Sequence, residues 1–198
     1  MGLELEYIEG QTPIDEDEKE GLKIRAISTR AELDEFEQKN IEMAIAWTMR
    51  RKFSMNEILS EAFILEAHKQ MFGKVWKWAG KLRKTNKNNG VDKSQISIEL
   101  RKVLDDCSYW IDHKTFDPDE IAIRFKHRLV KTHLFSNGNG RHSRFCSDIL
   151  ISQYFNRPVF SWGSADLAKK SDARTIYLNA IYQADLGTYG PLIDFARS

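Results

Sequence analysis

Residues 133–144 read HLFSNGNGRHSR, and they separate two segments in which apolar residues recur at helical spacing. The first segment begins near Pro118, a favoured first-turn residue, and carries Ile121, Phe125 and Leu129 on one face. The second begins at about Arg141 and has apolar residues one and two turns later. The pattern predicts two packed helices joined by a loop, which is a rigid support for reactive groups.

The residue types in this loop are those that bind phosphate. Gly138 and Gly140 carry no Cβ, so the backbone can approach a ligand and the amides around Asn139 can point into one concavity. The next helix starts here and adds unpaired amides and the positive end of its dipole. Arg141 and Arg144 are three residues apart and place two guanidinium groups on one helix face. Together these features predict a polyphosphate-binding loop.

His133 stands at the other end of the loop. The pKa of imidazole suits proton transfer near neutral pH, so a histidine beside a bound triphosphate can accept the proton of an attacking hydroxyl. Each feature alone has a structural interpretation: a simple turn, a packed histidine or a solvated arginine face. Their combination within one short stretch favours a functional site. The sequence has no Walker loop, GxGxxG, GxSxG or HExxH motif.

Helix signals dominate the sequence on both sides of this stretch. Thr29 with Glu32 and Ser54 with Glu57 have the spacing of a capping box, and each precedes a run of apolar residues at helical period. Further helical segments are predicted before Pro118 and near the end of the chain. These signals indicate a fold that is mostly α.

Residues 76–91 lack a helical period. They contain Asn89-Gly90, the strongest hairpin-turn signal in the chain, because both residues tolerate positive φ. A small β-hairpin, here called the flap, is therefore predicted within residues 85–96. The expected fold class is a single, mostly α domain with this hairpin and an N-terminal arm.

Composition sets the broad class. The 198 residues include 30 Lys or Arg and 29 Asp or Glu, so the net charge of +1 disfavours direct nucleic-acid binding, even though the flap region is locally basic. No segment is long and apolar enough to span a membrane, and the two cysteines form no CxxC pair. We expect a cytoplasmic protein with an acidic arm at 1–30 that packs on a body at 31–198. A disordered solvated tail is the alternative for the first ten residues.

The loop is similar to the signature of the Fic domain family, His-Pro-Phe-x-(Asp/Glu)-Gly-Asn-Gly-(Arg/Lys)-x-x-Arg. The matching positions are His133, Phe135, Gly138, Asn139, Gly140, Arg141 and Arg144. WKWAGKLR at 76–83 resembles the Trp-Ala-Gly-x-x-Arg element that precedes the family's flap, and the likeness spans about residues 30–190. GQTPIDEDEKEGL, TNKNNGVDKSQI and NGNGRH resemble a bacterial subgroup called mobile mystery protein B.

The resemblance implies a protein adenylyltransferase that moves AMP from ATP, with Mg²⁺, to a Ser, Thr or Tyr hydroxyl of a target protein. By position, His133 would be the general base, Gly138 to Gly140 the anion hole for the α-phosphate, and Arg141 with Arg144 the ligands of the outer phosphates. The flap would clamp the target by strand addition through residues that include Thr85, Asn86, Gly90 and Val91. The subgroup likeness also implies a helix-turn-helix regulator, as in toxin–antitoxin pairs.

Two departures from the signature bear on these expectations. Leu134 replaces the proline, and Asn137 replaces the acid that normally holds Mg²⁺. A neutral amide is a weaker ligand for a hard cation, so we expect reduced Mg²⁺ affinity or slower turnover. Many relatives carry an inhibitory helix whose glutamate binds the second motif arginine, here Arg144. Glu20 in the N-terminal arm is the best candidate for that glutamate, and an ordinary acidic packing arm is the alternative.

Two other functions remain open from the sequence. One is a Fic enzyme that transfers a different phosphate-containing group or removes AMP from a modified protein. The other is a degenerate Fic fold that binds a nucleotide or partner as a regulator. Asn137 keeps the regulator open, whereas the pairing of His133 with two arginines argues against it, because a binding module needs no base.

Overall fold

The computed structural model describes residues 13–164, 167 and 171–198. In this part of the chain the helices are α1 (Glu16–Lys19), α2 (Arg30–Thr48), α3 (Met55–Ile58), α4 (Glu61–Phe72), α5 (Ile96–Asp112), α6 (Pro118–Thr132), α7 (Asn139–Ile149), α8 (Asp172–Asp185) and α9 (Gly190–Arg197). Short 3₁₀ turns lie at Lys93–Gln95 and Trp162–Ser164, and α7 continues as a π-helical turn at Leu150–Tyr154. The mostly α class predicted from the sequence is confirmed.

The helix starts follow the caps in the sequence. The Thr29 hydroxyl accepts the N–H of Glu32 at 3.3 Å, and the Glu32 carboxylate accepts the N–H of Thr29 at 3.0 Å. Ser54 and Glu57 form the second predicted capping box. That helix is shorter than its apolar pattern suggests: it ends at Ile58, and a new N-cap at Ser60 starts α4. The second cap turns the chain so that α4 can pack on α2.

The centre of the fold is the pair α6 and α7, which the predicted loop joins. Both helices pack on each other, α5 covers α6, and α4 contacts α7. Pro118 occupies the first turn of α6, as predicted, and the apolar face of that helix is buried. Because both helices that flank the loop are anchored in the core, the loop between them has a fixed position.

The predicted β-hairpin is wrong. Residues 85–92 form bends and irregular backbone, and in the described part of the chain the only β-pairing is an isolated bridge between Leu22 and Trp76. Gly90 has a φ of +99°, but Asn89 has no positive φ, so the two-residue hairpin turn does not form. The Arg83 guanidinium donates to the carbonyls of Thr85 and Val91. One side chain thus supplies the bonds that a strand ladder would have made.

Part of the N-terminal arm packs against the flap. The first twelve residues of the predicted arm lie outside the described residues. Lys87, whose side chain is 3% exposed, forms ion pairs with Asp15 at 2.7 Å and with Glu18 at 2.6 Å. The indole N–H of Trp78 donates to the Glu18 carbonyl at 3.1 Å. This end of the arm is therefore attached to the flap by ion pairs and to the preceding Trp-Ala-Gly element by a hydrogen bond.

The C-terminal helices close one side of the core. α9 contacts α8 and α6, and its short apolar face, which the sequence analysis did not single out, is buried. In the described part of the chain, no helix combines the length and the apolar character needed to cross a bilayer.

Candidate active site

The loop between α6 and α7 is shaped by two left-handed residues. His133 ends α6 with φ +57°, and Gly138 precedes α7 with φ +77°. A Cβ on Gly138 would lie 2.7 Å from the Phe72 ring, so only glycine fits there. The amides of Asn139, Gly140 and Arg141 follow in the first turn of α7, where the helix itself supplies no acceptor.

Asn139 fixes the loop with its side chain. Its Oδ1 accepts the N–H of Phe135 at 2.9 Å, and its Nδ2 donates to the carbonyl of Phe135 at 2.7 Å. Both residues are buried. Asn139 therefore contributes a backbone amide to the turn, whereas its side chain holds the loop in shape.

His68 is a loop-supporting residue that the sequence analysis missed. The N–H of Gly80 donates to its Nδ1 at 3.0 Å, so its Nε2 carries the proton and donates to the carbonyl of Asn137 at 3.1 Å. Its ring stacks on Phe135 at 3.7 Å, and burial holds its pKa well below the usual value. His68 thus connects the Trp-Ala-Gly element to the loop between α6 and α7. Its only sequence signal is its place on the apolar face of α4.

His133 faces the cleft as a neutral imidazole. The residue is 6% exposed, and burial, aided by the positive charges of Arg83 and Lys87, lowers its pKa to about 4. Arg83 also donates through Nε to the His133 carbonyl at 2.6 Å, which fixes the backbone at the end of α6. A neutral ring has a nitrogen lone pair, so His133 can accept a proton at neutral pH.

The two motif arginines have different supports. Arg141 donates to the carboxylate of Glu37 at 2.6 Å and stacks over the Phe72 ring at 4.8 Å. Arg144 lies over the Tyr177 ring at 5.6 Å. Both arginines project from α7 to the same side of the loop, where they line one cleft.

This cleft has a volume of about 410 Å³. Its lining brings together most of the predicted site residues: Gly90, His133, Asn137, Gly138, Asn139, Gly140, Arg141 and Arg144. Thr85, Asn86, Val91 and Glu20 are not among the lining residues. Glu20 is exposed at the end of α1, and the acid that contacts a motif arginine is Glu37.

The wall opposite the loop comes from α8, which the sequence analysis did not assign to the site. Leu178, Ile181 and Tyr182 supply its apolar surface. Asp185 closes the end of the wall and pairs with His127 at 3.1 Å and Lys131 at 2.9 Å. The cleft therefore has a cationic side at the loop and a mixed apolar and polar side at α8, which suits a nucleotide.

The described residues do not fit a resident Mg²⁺ site. The side-chain oxygen of Asn137 accepts the N–H of Gly138 at 2.7 Å and is therefore engaged within the loop. No group of three or more His, Cys, Asp or Glu side chains in the described ranges is close enough together to hold a metal ion. A hard cation prefers several oxygen ligands, which this part of the protein does not gather.

Comparison with known proteins agrees with this geometry. Residues 58–151 match the model of the Fic/DOC family. They form a Fic/DOC domain. No curated protein matches the sequence significantly. The fold is similar to a Fic-1 fragment from C. elegans, with a TM-score of 0.64 and 23% identity, covering 80% of this chain and 46% of that chain. The chain thus spans less than half of that fragment.

Two bacterial Fic structures cover more of their own length. The BepC protein of Bartonella tribocorum, solved with bound AMPPNP, has a TM-score of 0.63 at 18% identity and covers 92% of this chain and 97% of that one. The N-terminal Fic domain of a Bep effector protein of Bartonella quintana, solved with ADP, has a TM-score of 0.62 at 18% identity, with coverages of 87% and 86%. These similarities support the fold; the mobile mystery protein B resemblance stays a prediction.

Proposed function

We propose that this Fic/DOC protein is an adenylyltransferase that moves AMP from ATP to a Ser, Thr or Tyr hydroxyl of a target protein. The observation that carries the proposal is the shared cleft: a buried neutral His133 faces the Gly138–Gly140 turn, Arg141 and Arg144. A binding loop alone needs the cations but no base. The combination is suited to phosphoryl chemistry, in which positioning and charge stabilisation supply most of the rate.

In the proposed reaction the target hydroxyl oxygen attacks the α-phosphorus of ATP. A new O–P bond forms, the bond from the α-phosphorus to the bridging oxygen breaks, and pyrophosphate leaves with the bond electrons. The hydroxyl proton passes to the neutral ring of His133, which burial keeps unprotonated at neutral pH. The turn amides and the α7 N-terminus stabilise charge on the α-phosphate, and the two arginines stabilise the leaving pyrophosphate.

The nucleoside has a place in the same cleft. The Leu178 and Ile181 side chains on α8 provide an apolar surface for a base, opposite the loop that receives the phosphates. Gly90 of the flap also lines the cleft close to His133, which is where a target segment would enter. The partners are then a target protein with an accessible hydroxyl and, by likeness alone, a helix-turn-helix regulator.

Mg²⁺ enters the proposal only with the substrate. Because Asn137 is hydrogen-bonded to Gly138 and the described residues bring together no group of three or more His, Cys, Asp or Glu side chains, the ion would be held by the triphosphate of ATP. No step above is assigned to it. We expect a weak dependence of nucleotide affinity on Mg²⁺.

Labelled ATP tests the reaction. The purified protein, alone and with added cell lysate, is incubated with Mg²⁺ and ATP labelled on the α- or the γ-phosphate. Protein-bound α label that disappears in His133→Ala supports adenylyl transfer, and γ label alone would refute it in favour of a kinase-like reaction. His113→Ala is the matched control, because His113 is exposed at the end of α5 and does not line the cleft.

A nucleotide-binding regulator is the second candidate. One observation favours it. The Asn137 side chain stands at the position of the metal-binding acid, but it is neutral and its oxygen accepts the N–H of Gly138. Under this candidate the wild-type protein binds ADP or ATP but transfers neither label. Equal nucleotide affinity in His133→Ala and wild type, with no transfer by either, would establish it over the enzyme.

A further inference from the structure

A buried acid lies directly behind one of the motif arginines. Glu37, on α2, is 3% exposed. One carboxylate oxygen accepts the Nη1 donor of Arg141 at 2.6 Å, and the other accepts the indole N–H of Trp76 at 2.6 Å. These two short hydrogen bonds hold the buried carboxylate in one orientation.

Glu37 does not itself reach the ligand space. Arg141 lines the cleft, whereas Glu37 is not among the lining residues. An autoinhibitory acid would have to occupy the place of a phosphate in the cleft, and Glu37 does not line the cleft. Arg141 has five N–H donors, so one bond to Glu37 leaves donors for an anion in the cleft.

We propose that Glu37 is a positioning residue that holds Arg141 in the orientation that binds the outer phosphates of the nucleotide. The proposal rests on the function proposed above. Glu37 fixes one edge of the guanidinium, and Phe72 supports one face at 4.8 Å, so the remaining edge is presented to the cleft with little loss of side-chain freedom on binding. Arg144 lies on Tyr177 and forms no ion pair with an acid among the residues that the structure describes, so it serves as an internal comparison.

Two opposite effects of removing the acid make the test informative. Without the negative charge, Arg141 would attract phosphate more strongly from a distance. Without the hydrogen bond, the guanidinium would sample other orientations and bind the same phosphate less often. If positioning dominates, neutralising Glu37 weakens binding. If long-range charge dominates, the same change strengthens binding, and the proposal is overturned.

The experiment measures dissociation constants by calorimetry for AMP, ADP and the non-hydrolysable analogue AMPPNP. Glu37→Gln keeps the size of the side chain and an oxygen for the Trp76 bond but loses the charge. We expect the Kd for ADP and AMPPNP to rise about tenfold, which corresponds to one strong hydrogen bond, and the Kd for AMP to change less than twofold. Glu35→Gln on the same helix is the matched control, because Glu35 is exposed and pairs only with surface Lys39 at 2.7 Å.

A double-mutant cycle separates positioning from a general structural defect. In an Arg141→Lys background, Glu37→Gln should have less than a twofold effect on ADP affinity, whereas in Arg144→Lys it should keep its tenfold effect. An equal effect in both backgrounds, or equal weakening of AMP and ADP, would overturn the proposal. Should Glu37→Gln melt below the assay temperature, Glu37→Asp replaces it, because the shorter acid cannot keep both bonds.

The outcomes also distinguish this proposal from the function on which it rests. If the wild-type protein binds none of the three nucleotides, the proposed function fails and the inference fails with it. If the wild type binds them and Glu37→Gln binds them equally well or more tightly, only the role of Glu37 is refuted.

Discussion

Replacing Gly90 with alanine tests whether the flap is fixed against the proposed base. Gly90 has a φ of +99°, and an added Cβ would overlap the Cβ of His133. It would also lie 3.1 Å from the Thr132 carbonyl and 3.1 Å from Nη2 of Arg83. Thr132 and His133 belong to the end of α6, which is anchored in the core. The flap must therefore move to make room for the added methyl group.

The expected loss of unfolding free energy in Gly90→Ala has two parts. An L-residue in a left-handed conformation costs about 1–2 kcal/mol, and an extra methyl group in a filled place costs about 1–3 kcal/mol more. Gly187 provides the control, because its φ is +90° but a Cβ there would meet nothing within 4 Å. We therefore expect Gly187→Ala to show the first cost only, and Gly90→Ala to lose about 1–3 kcal/mol more of unfolding free energy.

Urea unfolding gives the two stabilities, and AMP transfer from α-labelled ATP gives the activities. Gly90→Ala should lower transfer at least about tenfold, because a displaced flap would misplace the target hydroxyl that it is proposed to hold beside His133. Gly187→Ala should leave transfer unchanged. Equal losses of stability in the two variants, or full activity in Gly90→Ala, would refute the close contact between flap and base.

Three further predictions concern the loop, the core and the arm. Gly140→Ala should fold normally, because a Cβ there meets nothing within 4 Å, yet it should weaken ADP binding in calorimetry, since the glycine lines the cleft. Burial raises the pKa of Asp148 to about 7, so the folded state favours the protonated acid; its stabilising effect is complete below pH 4 and is lost as the pH rises towards 7. Asp148→Asn should therefore raise the melting temperature at pH 8 and not at pH 4. Lys87→Met should cost roughly 1–3 kcal/mol and speed hydrogen exchange in α1. The hydrogen bond from Lys87 lowers the pKa of Asp15, so in the wild type this attachment is present above pH 4 and weakens as the pH falls through the lowered pKa.

The parts of the fold that the sequence predicted are those that depend on neighbours along the chain. The capping boxes at Thr29 and Ser54 and the proline that opens α6 are local devices, and the structure contains all three. The hairpin at Asn89-Gly90 was also a local prediction, but a distant requirement overrode it. Arg83 donates to the carbonyls of Thr85 and Val91 in the flap and also to the His133 carbonyl at the end of α6. The conformation of the flap is therefore set by this contact with the α6 end and not by the turn preference of Asn89-Gly90.

The site shows the same division between local and long-range information. That the loop residues line one cleft could be predicted, because the glycines and arginines lie within one short stretch. The contacts of Glu37 and His68 with the loop could not be predicted, because these residues reach it from 104 and 69 residues away in the sequence. Both are polar residues on helices, and apolar periodicity alone does not show which polar residue of a helix is buried or what it contacts.

The side chains and the backbone amides of the loop have different roles, and this bears on how the protein recognises a nucleotide. The two asparagine side chains of the loop form hydrogen bonds within it: Asn139 holds Phe135, and the Asn137 oxygen accepts the N–H of Gly138. Backbone amides and two guanidinium groups are then left to contact a ligand, and these groups recognise phosphate without distinguishing one base from another. Under the proposed function, choice of nucleotide therefore falls to the α8 side of the cleft, where Tyr182 and Asp185 offer the polar contacts that a base edge requires.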